Sequence, residues 1–491
     1  MATSRRRSRG RVGAGQQPRE SEPSSAPGDM GAPAEGPRAE VVAPGTTGRY
    51  LVLMREDAVQ AGVRALTEAA ELNVASAADF EGGVVDPDRL ARGEAIVFDR
   101  LGVAVVNTPP EQFRALSAMA TEESGILAIE PERVVYALAE DWPRSAELPT
   151  PVPAPGSPAP AALRLSLDYL LGYREAVNHL VDQMLVAGGL PAGVRIGAGA
   201  VLAALDESEL TWGVQVTRVA ASQFSGKGIR VAVLDTGLDL KHPDFVGRRI
   251  TTSSFVSGEE VQDGHGHGTH CIGTACGPRQ PGQLPRYGIA YDAEIFAGKV
   301  LSNRGSGADA GILGGIQWAI INGCQIISMS LGANLCDQPN QGFSRVFESV
   351  ARRALAAGTL IIAAAGNDSE RPGHICPVSH PANCPSILAV GALDQQLQVA
   401  GFSNGGLNPQ GGQVDIAGPG VAVRSSWPRP ILYRTISGTS MATPHIAGIA
   451  ALLAEANPEA RGRALASLLL QTARRLELPA RDVGSGLVQA P

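Results

Sequence analysis

The chain is 491 residues long, with 44% hydrophobic and 18% charged residues, so it can form two or three domains with a sizeable core. Its formal net charge of -7 argues against a general nucleic-acid-binding role, because a phosphate backbone requires a basic face. The arginines between residues 5 and 11 are an exception, and we interpret them as part of a solvated tail.

The sequence has no feature of a membrane protein. No apolar run approaches the length of a membrane span, and no secretory h-region follows the N-terminal arginines. We therefore expect a cytoplasmic protein with no membrane partner, unless the start codon is misassigned or export follows another route.

Six cysteines are too few for a disulfide scaffold in a chain of this length, and their spacing matches no zinc pattern. Cys376 and Cys384 flank a short loop that contains proline. They are the pair that we favour in an oxidising compartment, although spacing alone does not define the pairing.

The first part of the chain divides into three segments. Residues 1–48 have almost no large apolar side chains, so we expect a disordered tail. Residues 49–138 alternate strand-like and helix-like runs in the order β-α-β-β-α-β, which predicts a small α+β ferredoxin-like sandwich. Residues 139–204 read as a proline-rich linker and then an amphipathic helix, Leu163–Val186. The elements predicted in the sandwich are strands at Tyr50–Met54, at Ala95–Thr108 (one long or two short), at Gly125–Ile129 and at Val134–Leu138, and helices at Asp57–Ala70 and Pro109–Thr121.

Residues 205–491 alternate strands and helices in the manner of a parallel α/β domain. In such a sheet, ligands bind beyond the carboxyl ends of the strands, so the residues that follow each strand are the functional candidates. The predicted strands are Ile229–Leu234, Ala293–Val300, Gln325–Ser330, Thr359–Ala364 and Ile387–Ala392, and the predicted helices are Gly268–Ala275, Ala310–Asn322, Ser344–Ala357, Ser440–Glu455 and Arg461–Ala473.

A serine lies at the start of one of these helices, in the run Gly438–His445 (Gly-Thr-Ser-Met-Ala-Thr-Pro-His). At a helix N-terminus its backbone N–H is free to face a developing negative charge, as a nucleophile in acyl transfer requires. Gly-Thr-Ser is also ordinary turn and cap chemistry, so this motif alone leaves both interpretations open.

Three other motifs supply the partners that a nucleophilic serine needs. Asp235 directly follows a buried strand, where a carboxylate can be held partly buried. The run 263–270 contains three histidines and has a metal site as its alternative, but a helix start disfavours a cation, so we interpret His267 as a general base. Asn367 follows a strand of small residues and can donate to an oxyanion. Taken singly, Asp235 and Asn367 are also ordinary turn residues.

Together these four motifs resemble those of the subtilases, both in content and in the chain order Asp, His, Ser. The resemblance covers about Leu205 to the C-terminus. It implies a three-layer subtilisin-like domain with a mostly parallel sheet, and a serine endopeptidase that requires no cofactor. It implies that Ser440 is the nucleophile, that His267 transfers the proton, that Asp235 orients the imidazole, and that Asn367 with the Ser440 backbone N–H forms the oxyanion hole.

The resemblance also implies how a substrate binds. One segment is similar to the edge that pairs with an extended protein or peptide substrate, and a second, of small residues, is similar to the wall of a roomy apolar pocket. The first segment is Ser330, Leu331 and Gly332, and the second is Ala364, Ala365 and Gly366.

Two accessory positions follow from the same resemblance. Cys271 looks like the buried cysteine of the proteinase K branch, for which we expect a packing role. Asp415 lies where some subtilases hold a weakly bound cation, so calcium is a candidate structural ion there.

The resemblance changes the interpretation of residues 49–138. Many subtilases are made with an inhibitory propeptide of the β-α-β-β-α-β form, and residues 126–138 are similar to the end of one. We therefore expect this domain to act as an intramolecular inhibitor that keeps the enzyme latent. Residues 139–204 depart from the family pattern, in which the catalytic domain follows closely, and this leaves the processing site open.

Two other functions use the same motifs. An acyl transferase would pass the peptide to an amine, as some subtilase relatives do in peptide cyclisation, but no insertion favours it. A non-enzymatic binding module would keep the scaffold alone, and the complete set of catalytic residues argues against it.

Overall fold

The computed structural model describes residues 45–69, 74–77, 89, 95–107, 118, 124–139, 205–337, 342–408 and 411–491. Most of the predicted tail and of the predicted helix Pro109–Thr121 lies outside these residues, as do the linker and the predicted helix Leu163–Val186. Within the described ranges, no helix is both long enough and apolar enough to cross a membrane.

The first domain is a small sheet with a helix packed on it. Its strands lie in the order β5-β1-β4-β3-β2, with antiparallel neighbours except for the parallel pair β2 and β3. The order β5-β1-β4-β3 fits the predicted ferredoxin-like sandwich. Its elements are β1 (Thr46–Met54), α1 (Val59–Ala69), β2 (Val74–Ser76), β3 (Ala95–Phe98), β4 (Val103–Val106) and β5 (Ile126–Ala137), with a 3-10 turn at Glu56–Ala58 before α1.

Strand β5 is one continuous strand, whereas the sequence predicts two, Gly125–Ile129 and Val134–Leu138. The prediction of two strands is wrong because the residues between them, which include Pro131, continue the ladder with β1. In the structure Pro131 lies opposite Tyr50, where the register of the β1–β5 ladder shifts. A proline at an irregular point removes no regular ladder bond, so the strand continues through it.

The second domain contains the remaining elements. They are α2 (Trp212–Val216), β6 (Arg230–Asp235), β7 (Ile250–Ser254), α3 (His267–Cys276), β8 (Glu294–Lys299), β9 (Ser306–Ala308), α4 (Asp309–Ile321), β10 (Ile326–Met329), β11 (Leu331–Gly332), α5 (Arg345–Ala356), β12 (Leu360–Ala364), β13 (Leu388–Leu393), β14 (Ile416–Pro419), β15 (Val423–Ser426), β16 (Tyr433–Ile436), α6 (Thr439–Ala456), α7 (Arg463–Thr472) and α8 (Ala480–Val483), with short 3-10 turns at Val219–Ala221 and Pro243–Phe245.

A parallel sheet in the order β14-β13-β12-β10-β6-β8-β7 forms the centre of this domain. Alternate residues of β6 point to opposite faces: Leu234 belongs to the core that α4 and α5 cover, and Val233 belongs to the core that α3 and α6 cover. Because both faces are covered, the inner strands are continuous apolar runs rather than alternating ones. The result is a three-layer α/β domain, as the sequence predicts.

Every strand and helix predicted between residues 205 and 491 is present, with its ends within two residues of the prediction. The edge strands β7 and β14 were not predicted. Strand β7 is Ile-Thr-Thr-Ser-Ser and β14 is a four-residue run that ends in proline, so neither has the long apolar pattern of the inner strands.

The disulfide differs from the pair favoured by the sequence. Cys336 is bonded to Cys376, with their Cα atoms 4.9 Å apart, whereas Cys384 is a free, buried thiol whose Sγ lies 3.7 Å from the Ser344 carbonyl oxygen. The expected Cys376–Cys384 pair is therefore wrong. The fold brings the segment after β11 beside Cys376, a contact across 40 residues that spacing does not reveal.

A carboxylate near the end of α6 fixes this helix to the loop before β6. Glu455 accepts hydrogen bonds from the backbone N–H groups of Ser225 at 2.7 Å and Gly226 at 2.6 Å. Helix α6 carries Ser440 at its other end and β6 ends at Asp235, so this contact helps to set the relative position of the two functional candidates.

We expect Glu455→Ala to lower the free energy of unfolding by about 2 kcal/mol, because two largely buried N–H groups lose their acceptor. Denaturant unfolding of the full chain measures this. The control is Glu459→Ala, which changes an exposed glutamate just beyond the same helix. Equal losses in the two variants would contradict the role given to Glu455.

Candidate active site

Asp235 and His267 form a hydrogen-bonded pair at the carboxyl end of the central sheet. Asp235 is the last residue of β6, His267 is the first of α3, and each side chain is 1% exposed. His267 Nδ1 lies 2.8 Å from Asp235 Oδ1, which also accepts from the backbone N–H of Thr236. His267 Nε2 is buried and has no hydrogen-bond partner among the described residues. The imidazole is therefore held with Nε2 available to accept a proton.

The three histidines of the run 263–270 differ in their electrostatics. Burial disfavours the charged form of His267, but the charge of Asp235 and its hydrogen bond outweigh burial and raise the pKa of His267 well above its usual value. Burial lowers the pKa of His265 to about 4 and that of His270 to about 3. Of the three, only His267 combines a raised pKa with a bonded carboxylate.

A metal site built from these histidines is not supported. His270 Nε2 lies 3.0 Å from the Val423 carbonyl oxygen, a contact that holds its ring in the core. In the part of the chain that the structure describes, the metal-ligating atoms that converge on His267 are those of Asp235 and Cys271, and no second imidazole joins them.

Asp263 fixes the first turn of α3 and thereby the position of His267. Its Oδ1 accepts from the backbone N–H groups of His265 and Gly266 at 2.9 and 2.8 Å, and its Oδ2 accepts from the N–H of Thr269 at 2.9 Å. These bonds satisfy donors that a helix start leaves unpaired. Asp263 was not among the predicted site residues, although its position four residues before His267, ahead of a helix start, is visible in the sequence.

Ser440 is the second residue of α6 and is fully buried. Its hydroxyl donates to the Ser330 carbonyl oxygen at 3.0 Å, and the Ser330 hydroxyl donates to the Ser440 carbonyl oxygen at 2.9 Å. Cys271 Sγ lies 3.6 Å from the same carbonyl oxygen and 3.8 Å from His267 Nδ1. Ser440 and His267 thus contact one buried sulfur atom, and burial raises the pKa of the Cys271 thiol.

Asn367 lies beside the start of the serine helix and donates to a carbonyl of the first domain. Its Oδ1 accepts from the backbone N–H of Thr439 at 2.9 Å and from the Thr439 hydroxyl at 2.7 Å. Its Nδ2 donates to the Leu138 carbonyl oxygen at 2.8 Å. A Cβ at Gly438 would lie 2.5 Å from the same oxygen, so only glycine permits this approach.

Leu138 reaches Asn367 because the second half of β5 lies between two strands of the second domain. Val134, Val135 and Tyr136 pair antiparallel with β9, and Tyr136 and Ala137 pair antiparallel with β11. The chain therefore enters the cleft as an added strand. Of the three residues predicted to form the peptide-binding edge, Leu331 and Gly332 pair with β5. Ser330 instead contacts Ser440.

Ala364, Ala365 and Gly366 are buried where β12 ends and connect it to Asn367. Gly366 has a φ of +112°, and a Cβ there would lie 2.2 Å from the Asn404 side chain, so this position requires glycine. The Leu138 side chain lies against Gly332, since a Cβ on that glycine would be 3.1 Å from Leu138 Cδ1. The role of residues 364–366 as a pocket wall stays a prediction.

Both carboxylate oxygens of Asp415 accept hydrogen bonds. Its Oδ2 accepts from the backbone N–H of Ala389 at 2.8 Å, and its Oδ1 accepts from the Gln413 amide at 3.3 Å. Burial raises the pKa of Asp415 to about 6. A weakly bound calcium ion at Asp415 stays a prediction.

Comparison with known proteins agrees with this geometry. The model of the Subtilase family matches residues 226–486. Subtilisin Savinase of Lederbergia lenta is 38% identical over 283 residues, which cover 57% of this chain and 96% of that protein. Subtilisin DY of Bacillus licheniformis is 36% identical over 265 residues, covering 54% and 90%. M-protease of Shouchella clausii (strain KSM-K16) is 38% identical over 283 residues, covering 57% and 68%.

The matched region contains the central sheet and the four motifs, with the three residues Asp235, His267 and Ser440 in the chain order Asp, His, Ser. The chain therefore belongs to the subtilase family and is a subtilisin-like serine endopeptidase.

Proposed function

We propose that Ser440, His267 and Asp235 form the catalytic triad of this endopeptidase, and that residues 49–138 hold it latent by placing Leu138 in the cleft as a substrate. One observation carries the proposal: the Leu138 carbonyl oxygen accepts a hydrogen bond from Asn367 Nδ2 at 2.8 Å, at the end of an added strand.

The catalytic steps follow from the positions of these groups. The Ser440 hydroxyl turns from the Ser330 carbonyl toward His267 Nε2, transfers its proton there, and its oxygen attacks the carbonyl carbon of the substrate. Asn367 Nδ2 and the Ser440 backbone N–H stabilise the resulting oxyanion. The imidazolium, stabilised by Asp235, returns the proton to the leaving amine as the peptide bond breaks. Water then hydrolyses the acyl-enzyme by the same path.

We infer that the bond between Leu138 and Ala139 is the one that Ser440 attacks. Asn367 donates to the carbonyl oxygen of this bond, and a Cβ at Gly438 would lie 3.3 Å from Ala139 Cα. We propose that self-processing cuts here and leaves residues 139–204 attached to the catalytic domain. The contact between Leu138 and Gly332 also favours leucine before the cleaved bond in protein or peptide substrates.

Carboxylates of β5 that bind the starts of two catalytic-domain helices support latency. Glu132 is fully buried and accepts from the backbone N–H of Ala310, in the first turn of α4, at 3.0 Å. Glu130 accepts from the Ser344 hydroxyl at 2.6 Å and from the backbone N–H of Arg345, the first residue of α5, at 2.7 Å. A negative charge at a helix N-terminus is favourable, so both contacts hold β5 against the catalytic domain.

Intact mass of the purified full chain, followed over time, tests the proposed function. Wild type should break into two fragments that meet between Leu138 and Ala139, and Ser440→Ala should remain full length. Ser437→Ala is the matched control, because it removes a nearby serine hydroxyl that bonds to the Ala422 backbone N–H, and it should be processed like wild type. Cleavage of Ser440→Ala at the same bond, or an uncut wild type, would contradict the proposal.

We expect Asp235→Asn to lower kcat by about 10⁴-fold, because the imidazole loses the carboxylate that orients it. His267 acts as a base only when it is deprotonated, and Asp235 raises its pKa, so wild-type kcat/KM should rise as the pH increases through that raised value. Without the carboxylate the pKa of His267 falls, so the residual activity of Asp235→Asn should increase with pH over a lower pH range than the activity of wild type. The two pH profiles are measured with a chromogenic peptide that has leucine before the cleaved bond. Identical profiles would contradict the influence of Asp235 on the pKa of His267.

We expect Glu132→Gln to weaken latency, because a neutral amide interacts less favourably with the start of α4 and with Arg49, whose Nε lies 2.6 Å from Glu132. The interval between cleavage after Leu138 and the appearance of activity on added peptide should shorten severalfold. Glu68→Gln, an exposed change on α1, should leave the interval as in wild type. An unchanged interval in Glu132→Gln would argue against a role of this contact in inhibition.

A further inference from the structure

Three metal-ligating side chains meet outside the catalytic cleft. The atoms Cys336 Sγ, His374 Nε2 and Cys376 Sγ all lie within 4.8 Å of one another, and Cys336 Sγ is 3.0 Å from His374 Nε2. The two sulfur atoms are joined in a disulfide. His374 is exposed, Cys336 is half-buried and Cys376 is fully buried, so the cluster reaches from the surface into the protein.

The cluster connects two segments that border the cleft. Cys336 follows β11, the strand that pairs with Tyr136 and Ala137 of the bound chain. Cys376 lies in the loop that follows Asn367, where its backbone N–H donates to the Ser369 hydroxyl at 3.0 Å and its carbonyl oxygen accepts from Gly405. The disulfide therefore ties the peptide-binding edge to the loop that continues from the oxyanion donor.

We propose that Cys336, His374 and Cys376 form a redox-dependent Zn²⁺ site, which is closed to the metal in the disulfide form and open in the dithiol form. Two thiolates and one imidazole are the ligand set of soft, tetrahedral zinc sites. A disulfide requires only the two cysteines. The imidazole of His374 beside them is the observation that points to a metal.

The chemistry balances with a dithiol or phosphine as the reductant. Two electrons from the reductant and two protons convert the disulfide to two thiols. Zn²⁺ then displaces the two thiol protons and binds two thiolates and His374 Nε2, with water as the fourth ligand. Oxidation releases the metal, because the same sulfur atoms cannot hold both a disulfide and the cation.

The geometry requires little movement. Two sulfur ligands of one tetrahedral zinc lie roughly 3.8 Å apart, and a sulfur and a nitrogen ligand roughly 3.6 Å apart, from usual bond lengths. The Cys336–His374 distance of 3.0 Å is already close to the second value. After reduction, the sulfur atoms must separate by rotation of the cysteine side chains, and the exposed His374 can follow.

This site would preserve the link between the two segments when the disulfide is absent. In the oxidised chain the link is covalent, and in the reduced chain zinc replaces it. The reduced, metal-free chain is the one state in which the cluster does not hold the peptide-binding edge to the loop after Asn367. The proposal does not depend on the catalytic roles given above, because metal binding is measured without turnover.

The test uses the full chain with Ser440→Ala, which prevents self-cleavage. One sample is oxidised and another is reduced with a phosphine, and each is titrated anaerobically with Zn²⁺ alone, desalted, and measured for bound metal by elemental mass spectrometry. We expect one tightly bound zinc in the reduced chain and none in the oxidised chain. Bound zinc should also protect Cys336 and Cys376 from alkylation, as read by peptide mass spectrometry.

Variants locate the metal. His374→Ala changes an exposed residue and leaves the disulfide possible, and it should weaken zinc binding by the reduced chain about 100-fold, as should Cys336→Ser. The control Cys324→Ser removes a buried free thiol and should bind zinc like the parent. Absence of zinc from the reduced parent, equal binding by the oxidised chain, full binding by His374→Ala, or loss of zinc in Cys271→Ser, which would place the metal beside His267, would each overturn the proposal.

Discussion

The hydrogen bond from Asn367 Nδ2 to the Leu138 carbonyl oxygen is the contact on which the account of this enzyme depends. The Asn367 amide oxygen is fixed by Thr439, so its N–H₂ group is oriented before any substrate arrives. Such preorganised donors stabilise developing charge without rearrangement during the reaction. The same donor binds the Leu138 carbonyl oxygen of the first domain, and this is the contact that we propose keeps the enzyme latent.

The parallel sheet makes this arrangement possible. Asp235 ends one strand and Asn367 follows another, and because parallel strands share a carboxyl edge, residues far apart in sequence meet there. Helices α3 and α6 begin at this edge and present His267 and Ser440. Two contacts help to fix where these helices begin. Glu455 of α6 binds the loop before β6, and Asp263 caps the start of α3.

Motifs and periodicity are sufficient to predict the α/β domain, whereas the catalytic roles of its four candidate residues stay a prediction. Buried parallel strands have long apolar runs, and Asp235, His267, Asn367 and Ser440 each follow a strand or begin a helix, which sequence can indicate. Local propensity does not show that β5 continues through Pro131, because the irregular register that tolerates this proline depends on pairing with β1.

Contacts between distant segments could not be predicted in the same way. The Cys336–Cys376 bond and the approach of His374 depend on how the segment after β11 packs against the loop after Asn367, and no spacing rule contains that information. The binding of Glu130 and Glu132 to the starts of α5 and α4 likewise depends on how the two domains pack. Sequence reasoning could relate residues 126–138 to the end of an inhibitory propeptide, as a prediction, but it could not identify which carbonyl reaches Asn367.

The most direct test of the central claim is the rate at which a fluorophosphonate, a reagent for activated serines, modifies Ser440 before and after the Leu138–Ala139 bond is cut. Peptide mass spectrometry measures the adduct at each time. The account predicts slow labelling while the chain is intact, because Leu138 occupies the cleft, and much faster labelling of Ser440 once the first domain has left. Equal rates in the two forms, or no adduct on Ser440 after cleavage, would contradict it.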